Sequence, residues 1–236
     1  MEGPYILYDA EAGWYYLFVS YGALNAHGGY QIRVFRSRTP DGDYEDMNGK
    51  YPKKLSHFRY GLKLSVNYIL PSVRTAYMAT GHNGAMIDAD GKRYVCCHTR
   101  FNSGGENHTP QFKQFGINEE GWPCLLPYAT RQETSPPPWN PASVPGRYYV
   151  INQGTLINDQ IAEPFILYLR EDGSVGGENL SGTWQLTADS VWLHLTLGDT
   201  EYSGILAQMQ DDASTDVTVF SAVGNNESVW GVRYDN

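Results

Sequence analysis

Cysteine is scarce: the chain of 236 residues holds 3, two of them adjacent at Cys96 and Cys97, with no CxxC pair. A disulfide framework and a thiolate zinc site are both excluded on that count. Neighbouring residues of a strand point to opposite faces, so Cys96 and Cys97 do not bridge. Positive charge is short too. The 17 Lys and Arg against 26 Asp and Glu leave a net charge of −9, and phosphate backbones need clustered basic residues, so no nucleic-acid partner is expected. The densest basic cluster, Lys53, Lys54, Arg59 and Lys63, reads as a solvated loop. No apolar run approaches the ~18 residues of a membrane span, so no membrane partner is expected. No segment sustains a 3.6-residue apolar period, which removes the amphipathic helix as a building block.

Aromatic residues fill the space, at 14 % of the chain with 18 Tyr and 6 Trp. They fall in short β-branched and aromatic runs: YILYD, WYYLFVSY, YQIRVFRSR, KRYVCCHTRF, PFILYLRE, SVWLHLTL and DVTVFSAV. Asp41-Gly42, Asp90-Gly91 and Asp172-Gly173 punctuate them as turns, and the chain reads as all-β. Asp9, Asp41, Asp43 and Asp90 are all placed in hairpin turns by this reading.

One break in composition divides the chain. Residues 133–145, ETSPPPWNPASVP, carry 5 prolines and read as a stiff linker or strap between residues 1–132 and residues 146–236. The second part offers about six to eight strands, with LSGTWQL and SGILAQM as half-buried alternations. It is expected to be a small antiparallel barrel or sandwich with a structural, accessory role.

The first part repeats itself. Gly13-Trp14-Tyr15-Tyr16-Leu17-Phe18-Val19-Ser20 is echoed by Gly91-Lys92-Arg93-Tyr94-Val95-Cys96-Cys97-His98, and Asp41-Gly42-Asp43-Tyr44 by Glu120-Gly121-Trp122-Pro123. Repeated antiparallel units with Gly and aromatic signatures suggest propeller blades, and about two units are too few to close a ring of four to eight. Sliding one unit over the other sets Asn83-Gly84 on Glu2-Gly3. Asn83 and its neighbour His82 are then candidates for binding sugar hydroxyls, with a plain turn as the competing reading of GHNG. Arg100 shares the strand face of His98 and is a candidate to touch substrate or a carboxylate. Trp14 and Tyr21 are possible stacking rings. Glu106 and His108 with His98 lack a recognised ligand spacing and read as a polar loop.

These motifs carry a resemblance. EGPYI followed by YYLFVSY and RVFRSRTPDGDY resembles the acid-bearing blade of the arabinanases of glycoside hydrolase family 43. GHNGAMID, YVCCHTRF and GWPCLLPY resemble the blade that follows, and LSGTW resembles the accessory β-domain of the two-domain members. The resemblance implies a five-bladed propeller, hydrolysis of α-1,5-linked arabinan with inversion, and Glu2 as general acid. It also implies that burial and a neighbouring carboxylate keep the acid protonated near neutral pH. His98 is implied as a ligand of one calcium ion on the propeller axis, an unusual choice for an oxygen-loving cation.

The general base and the Asp that tunes the acid match nothing in this chain, so both are expected on blades outside it, in a companion chain carrying the N-terminal part of the propeller. Alternatives are a non-catalytic sugar-binding or scaffold fragment and a xylosidase or arabinofuranosidase of the same family. The resemblance implies a secreted or extracytoplasmic bacterial enzyme.

Overall fold

The computed structural model describes residues 1–52, 59–72, 75–103, 105–131, 133 and 139–234. Among them the regular elements are strands, apart from one 3₁₀ turn at Pro141–Ser143, as the absence of a helical period predicts. A four-stranded sheet runs in the order β1 (Glu2–Asp9), β2 (Trp14–Tyr21), β3 (Gln31–Ser37), β4 (Leu62–Lys63). The next strands are β5 (Asn67–Tyr68), β6 (Tyr77–Ile87), β7 (Arg93–Phe101), β8 (Thr109–Ile117), β9 (Pro123–Leu125), β10 (Gly146–Asn152) and β11 (Ile161–Ala162). Six of these form a second sheet, in the order β11-β5-β6-β7-β8-β9.

The barrel side of the sandwich-or-barrel expectation holds. Strand β10 closes a ring with β12 (Phe165–Leu169), β13 (Ser174–Gly177), β14 (Ser181–Leu186), β15 (Trp192–Leu197), β16 (Thr200–Gln210), β17 (Asp216–Gly224) and β18 (Glu227–Tyr234). Every pairing in the ring is antiparallel, and β18 returns to β10 with Ile151 opposite Trp230.

The run DVTVFSAV shows why the barrel and the sheets stay together. Phe220 and Ala222 of β17 point into the barrel with Tyr148, Leu193 and Val229. Val217, Val219 and Val223 point the other way, into a core shared with Tyr16, Phe18, Tyr68 and Phe115. A strand buried on both faces reads as a near-continuous apolar run instead of an alternation, here interrupted by the buried Thr218 and Ser221. Trp230 completes the seam: its indole N–H donates to the carbonyl of Leu125 (2.6 Å), and its ring meets Tyr68 edge-on at 5.1 Å.

One reading of a charged residue is corrected. Lys53 and Lys54 lie outside the described residues and Arg59 is exposed, but Lys63 is 2 % exposed. Its ammonium donates to the carbonyls of Gln153 and Leu156, each at 2.8 Å. Desolvation, rather than any sequence signal, makes that burial costly, and it lowers the Lys63 pKa to about 7. Asp9, at the start of the β1–β2 hairpin turn, accepts the amides of Glu11 and Ala12 and is buried as well. It ends β1 at 1 % exposure and pairs with Arg93 of β7, locking the first hairpin to the second. Burial pushes its carboxyl up, but the Arg93 guanidinium and the amides of Ala12 and Glu11 more than offset this and hold it low.

Of the proline-rich stretch, residues 134–138 lie outside the described part. Residues 153–162, between β10 and β12, also reach from the barrel back to the sheets. There β11 pairs in parallel with β5, the carbonyl of Thr155 accepts from Arg33 (2.6 Å), and that of Asp159 accepts from Asn67 (3.0 Å).

Candidate active site

The start of β1 is irregular, and the sequence says why. Gly3 has φ +57, a conformation that glycine takes without a Cβ penalty, and the register with β2 shifts between Glu2 and Tyr5. This bulge re-aims Glu2, which still pairs with Ser20. In β6 the register with β7 shifts twice, on either side of Gly81, which pairs with His98. Ala79 and His82 have φ of 51 and 53, left-handed backbone that costs of order 1 kcal/mol or more at non-glycine residues. The surroundings hold it in place: Ala79 N–H donates to Asn67 (2.7 Å) and His82 N–H to the Ser20 hydroxyl (2.8 Å).

These bulges bring the sequence candidates together. Ser20 Oγ donates to the Asn83 side-chain oxygen (2.9 Å), and the Asn83 amide nitrogen donates to the carbonyl of Gly3 (3.1 Å). Asn83 therefore lies beside the Glu2-Gly3 corner. Its amide, however, is spent at both ends on fixing that corner. His82 is exposed beside it.

His98 lies in a stack of rings, with centroids 4.3 Å from His108, 5.9 Å from Tyr30 and 6.0 Å from His82. Burial, then the neighbouring His108, Arg100 and His82, lower its pKa to about 4. It is therefore neutral at pH 7, and its Nδ1 is buried without a hydrogen-bond partner. An orphaned neutral imidazole nitrogen suits a cation ligand. Among the described residues no three His, Cys, Asp or Glu side chains converge as a ligand group.

Arg100 is 2 % exposed, and its Nε pairs with Glu106 at 2.9 Å. Glu106, read from sequence as part of a polar loop, also accepts the Ala26 amide (3.1 Å), so it ties the loop before β3 to β7. The stacking rings suggested by sequence are otherwise engaged. Trp14 carries the guanidinium groups of Arg36 and Arg38 at 4.0 and 3.5 Å from its ring, and Tyr21 is 1 % exposed.

Sequence reasoning missed two members of this cluster. Tyr30 is 1 % exposed and donates its phenol to Glu2 Oε1 at 2.6 Å. Ser20 joins β1, β2 and β6. The signal for Ser20 was present, since it is the residue that aligns with His98 in the repeat. Nothing local marks Tyr30, whose partner lies 28 positions away. Glu2 itself is exposed among these residues, so the burial expected of a protonated acid is not supplied by them.

An exposed carboxyl beside two bulged strands, with imidazoles and a phenol around it, is thus joined to a closed eight-stranded antiparallel barrel. Residues 1–123 match the model of glycosyl hydrolases family 43, and residues 127–231 match its C-terminal lipocalin-like domain. The chain belongs to glycosyl hydrolase family 43.

It is 38 % identical to an extracellular endo-α-(1→5)-L-arabinanase of Thermotoga petrophila, over 100 % of this chain and 53 % of that protein. It is 34 % identical to extracellular endo-α-(1→5)-L-arabinanase 2 of Bacillus subtilis, over 99 % of this chain and 53 % of that one. Among solved structures, the family 43 YxiA protein of Bacillus licheniformis superposes with a TM-score of 0.92 at 33 % identity, covering 100 % of this chain and 56 % of that one. The endo-1,5-α-L-arabinanase of Thermotoga petrophila does so with a TM-score of 0.89 at 36 % identity, covering 99 % and 54 %. The chain thus spans about half the length of the curated relatives it matches.

Proposed function

We propose that this chain forms part of an arabinanase that hydrolyses α-1,5-L-arabinofuranosidic bonds with inversion, Glu2 being the general acid. The observation that carries the reading is the bulge at Gly3, beside which the Glu2 carboxyl meets the Tyr30 phenol, itself 3.5 Å from His82. The endo-arabinanase relatives supply the substrate class.

In this reading β1–β4 and β5–β9 are two blades of a five-bladed propeller. The catalytic unit ends before the proline-rich stretch 133–145, and the barrel is the accessory unit. Glu2 gives its proton to the glycosidic oxygen as the bond to the anomeric carbon breaks. A carboxylate from blades outside these residues, in the same or a companion chain, takes a proton from the attacking water on the opposite face. Inversion needs about 6.5–9.5 Å between the two carboxyls to admit that water.

His82, the exposed member, offers its ring to a sugar hydroxyl, Asn83 holds the Glu2-Gly3 corner, and Arg100 acts through Glu106 on the wall. His98 would hold a calcium ion, which would add fixed positive charge to the site when bound. The names of the relatives favour a secreted location.

The test is Glu2→Gln in the enzyme containing all blades. Loss of a positioned acid costs roughly 10²–10⁴-fold on arabinan, and much less on an aryl arabinofuranoside whose leaving group needs no proton. Equal loss on both substrates would overturn the assignment.

A further inference from the structure

Tyr30 has a single phenolic proton and two acceptors within reach, Glu2 Oε1 at 2.6 Å and His82 Nδ1 at 3.5 Å. The nearer one takes it. The ring that carries this phenol is packed between His98 and the backbone of Gly81. One face lies nearly parallel to His98, at 5.9 Å and 10°. Across the strand, a Cβ built on Gly81 would come within 2.4 Å of the ring carbons Cδ1 and Cε1. Glycine at position 81 is therefore what leaves room for the ring to pass under β6 and reach Glu2. The backbone is pinned as well: a Cβ on Gly29, whose φ is +64, would fall 2.7 Å from the carbonyl oxygen of Asn158, so the loop entering β3 lies directly against the barrel's strap.

From this geometry we infer that Tyr30 is the positioning residue of the Glu2 carboxyl. Its donated hydrogen bond selects one orientation of an otherwise exposed side chain, and Gly81 is the space that makes the contact possible. This rests on the reading of Glu2 as the acid. An exposed glutamate samples several rotamers, and only those that aim an oxygen at the glycosidic oxygen transfer a proton. A bond to the rigidly seated phenol removes the others at no entropic cost during turnover.

The test uses the enzyme with all its blades and three variants, Tyr30→Phe, Gly81→Ala and Glu2→Gln, each assayed on arabinan and on an aryl arabinofuranoside with a good leaving group. Tyr30→Phe keeps the ring and its stacking, so its melting temperature should stay close to that of the parent. Its kcat on arabinan should fall roughly 10- to 100-fold, the scale of a small misplacement of a reacting group, with KM nearly unchanged and little loss on the aryl substrate. Gly81→Ala should show the same split by displacing the ring.

If Glu2→Gln shows the leaving-group split but Tyr30→Phe keeps full activity or loses equally on both substrates, Tyr30 does not position the acid. If Glu2→Gln itself lacks the split, the reading of the acid fails first. Should Gly81→Ala fail to fold, Tyr30→Phe decides the matter alone.

Discussion

At the scale of single residues, the cluster divides into groups already spent on the fold and groups left open. Asn83 and Ser20 have their polar atoms engaged by Gly3 and His82, and Arg100 is ion-paired through Nε to Glu106 while its Nη1 is buried with no hydrogen-bond partner. His98 Nδ1 has no partner and its ring is neutral at pH 7. His98→Ala in the full enzyme should therefore cost calcium affinity without costing the fold. Losing even an outer-shell partner weakens metal binding roughly 10- to 100-fold, and losing a ligand should cost at least that. Calcium titration calorimetry checks the affinity, and a melt of the calcium-free protein checks the fold. Unchanged calcium binding would remove His98 from the ligand set.

The sequence exposes this division only in part. Glu2, His82, Asn83 and His98 are readable because the repeat and the motifs mark them locally. Tyr30 and Glu106 are not, because their roles arise from contacts 28 and 80 positions away. Lys63 escapes for the opposite reason: its charge outweighs, in a one-dimensional reading, the two carbonyls of a strap that only the fold brings to it.

At the scale of elements, the alternations and turn pairs mark the strands, and the repeat marks the matched hairpins β1–β2 and β6–β7. What they do not mark is the double shift in β6, since a bulge depends on side chains that hold it, here Asn67 and Ser20. Nor is β11 legible, two residues paired in parallel to a sheet about 90 positions earlier.

Strand β1 carries its own prediction. It is the edge of its sheet, and Tyr5, Ile6 and Tyr8 are 43, 48 and 51 % exposed along it. An open apolar edge templates pairing with other chains. The 236-residue chain by itself should self-associate, and Ile6→Lys should weaken that association about tenfold or more, since burying such a side chain is worth roughly 1.5–3 kcal/mol. Sedimentation velocity over a concentration series reads this. A parent chain that stays monomeric throughout would show that the edge is inert.

At the scale of the whole molecule, the barrel and the sheets meet around a buried cation. Lys113 is 0 % exposed, and its ammonium lies 5.2, 5.5 and 5.6 Å from the rings of Tyr68, Tyr77 and Trp230. It also donates to the Tyr68 phenol at 2.9 Å. Burial lowers its pKa to about 8 from the ordinary lysine value of 10.5. A folded pKa below the unfolded one means that, between those values, the unfolded chain binds the extra proton. Stability therefore rises with pH across that window, by up to about 1.4 kcal/mol per pH unit, and is flat with respect to this group below it.

Lys63 contributes a second rise that begins near pH 7, so the comparison must be between proteins. The gain in unfolding free energy from about pH 7.5 to about pH 9 should be smaller in Lys113→Met than in the parent by roughly 1 kcal/mol. Urea melts at the two pH values measure it. An identical pH slope in the two proteins would mean that the ammonium stays charged inside its cage of rings.

The pairing of β10 with β18 also fixes an order of events during synthesis. Domains tend to fold as they leave the ribosome, the N-terminal part first, but this barrel's opening strand has no partner on one side until its closing strand is translated. The same late strand delivers Trp230, and the turn before it delivers Asn226, whose side chain accepts the amide of Met47 and donates to Asp46. The sheets thus emerge early and keep their barrel-facing aromatic surface bare until translation reaches the closing strand. A nascent chain stalled before residue 227 presents that surface, and an open barrel, to the chaperones around it.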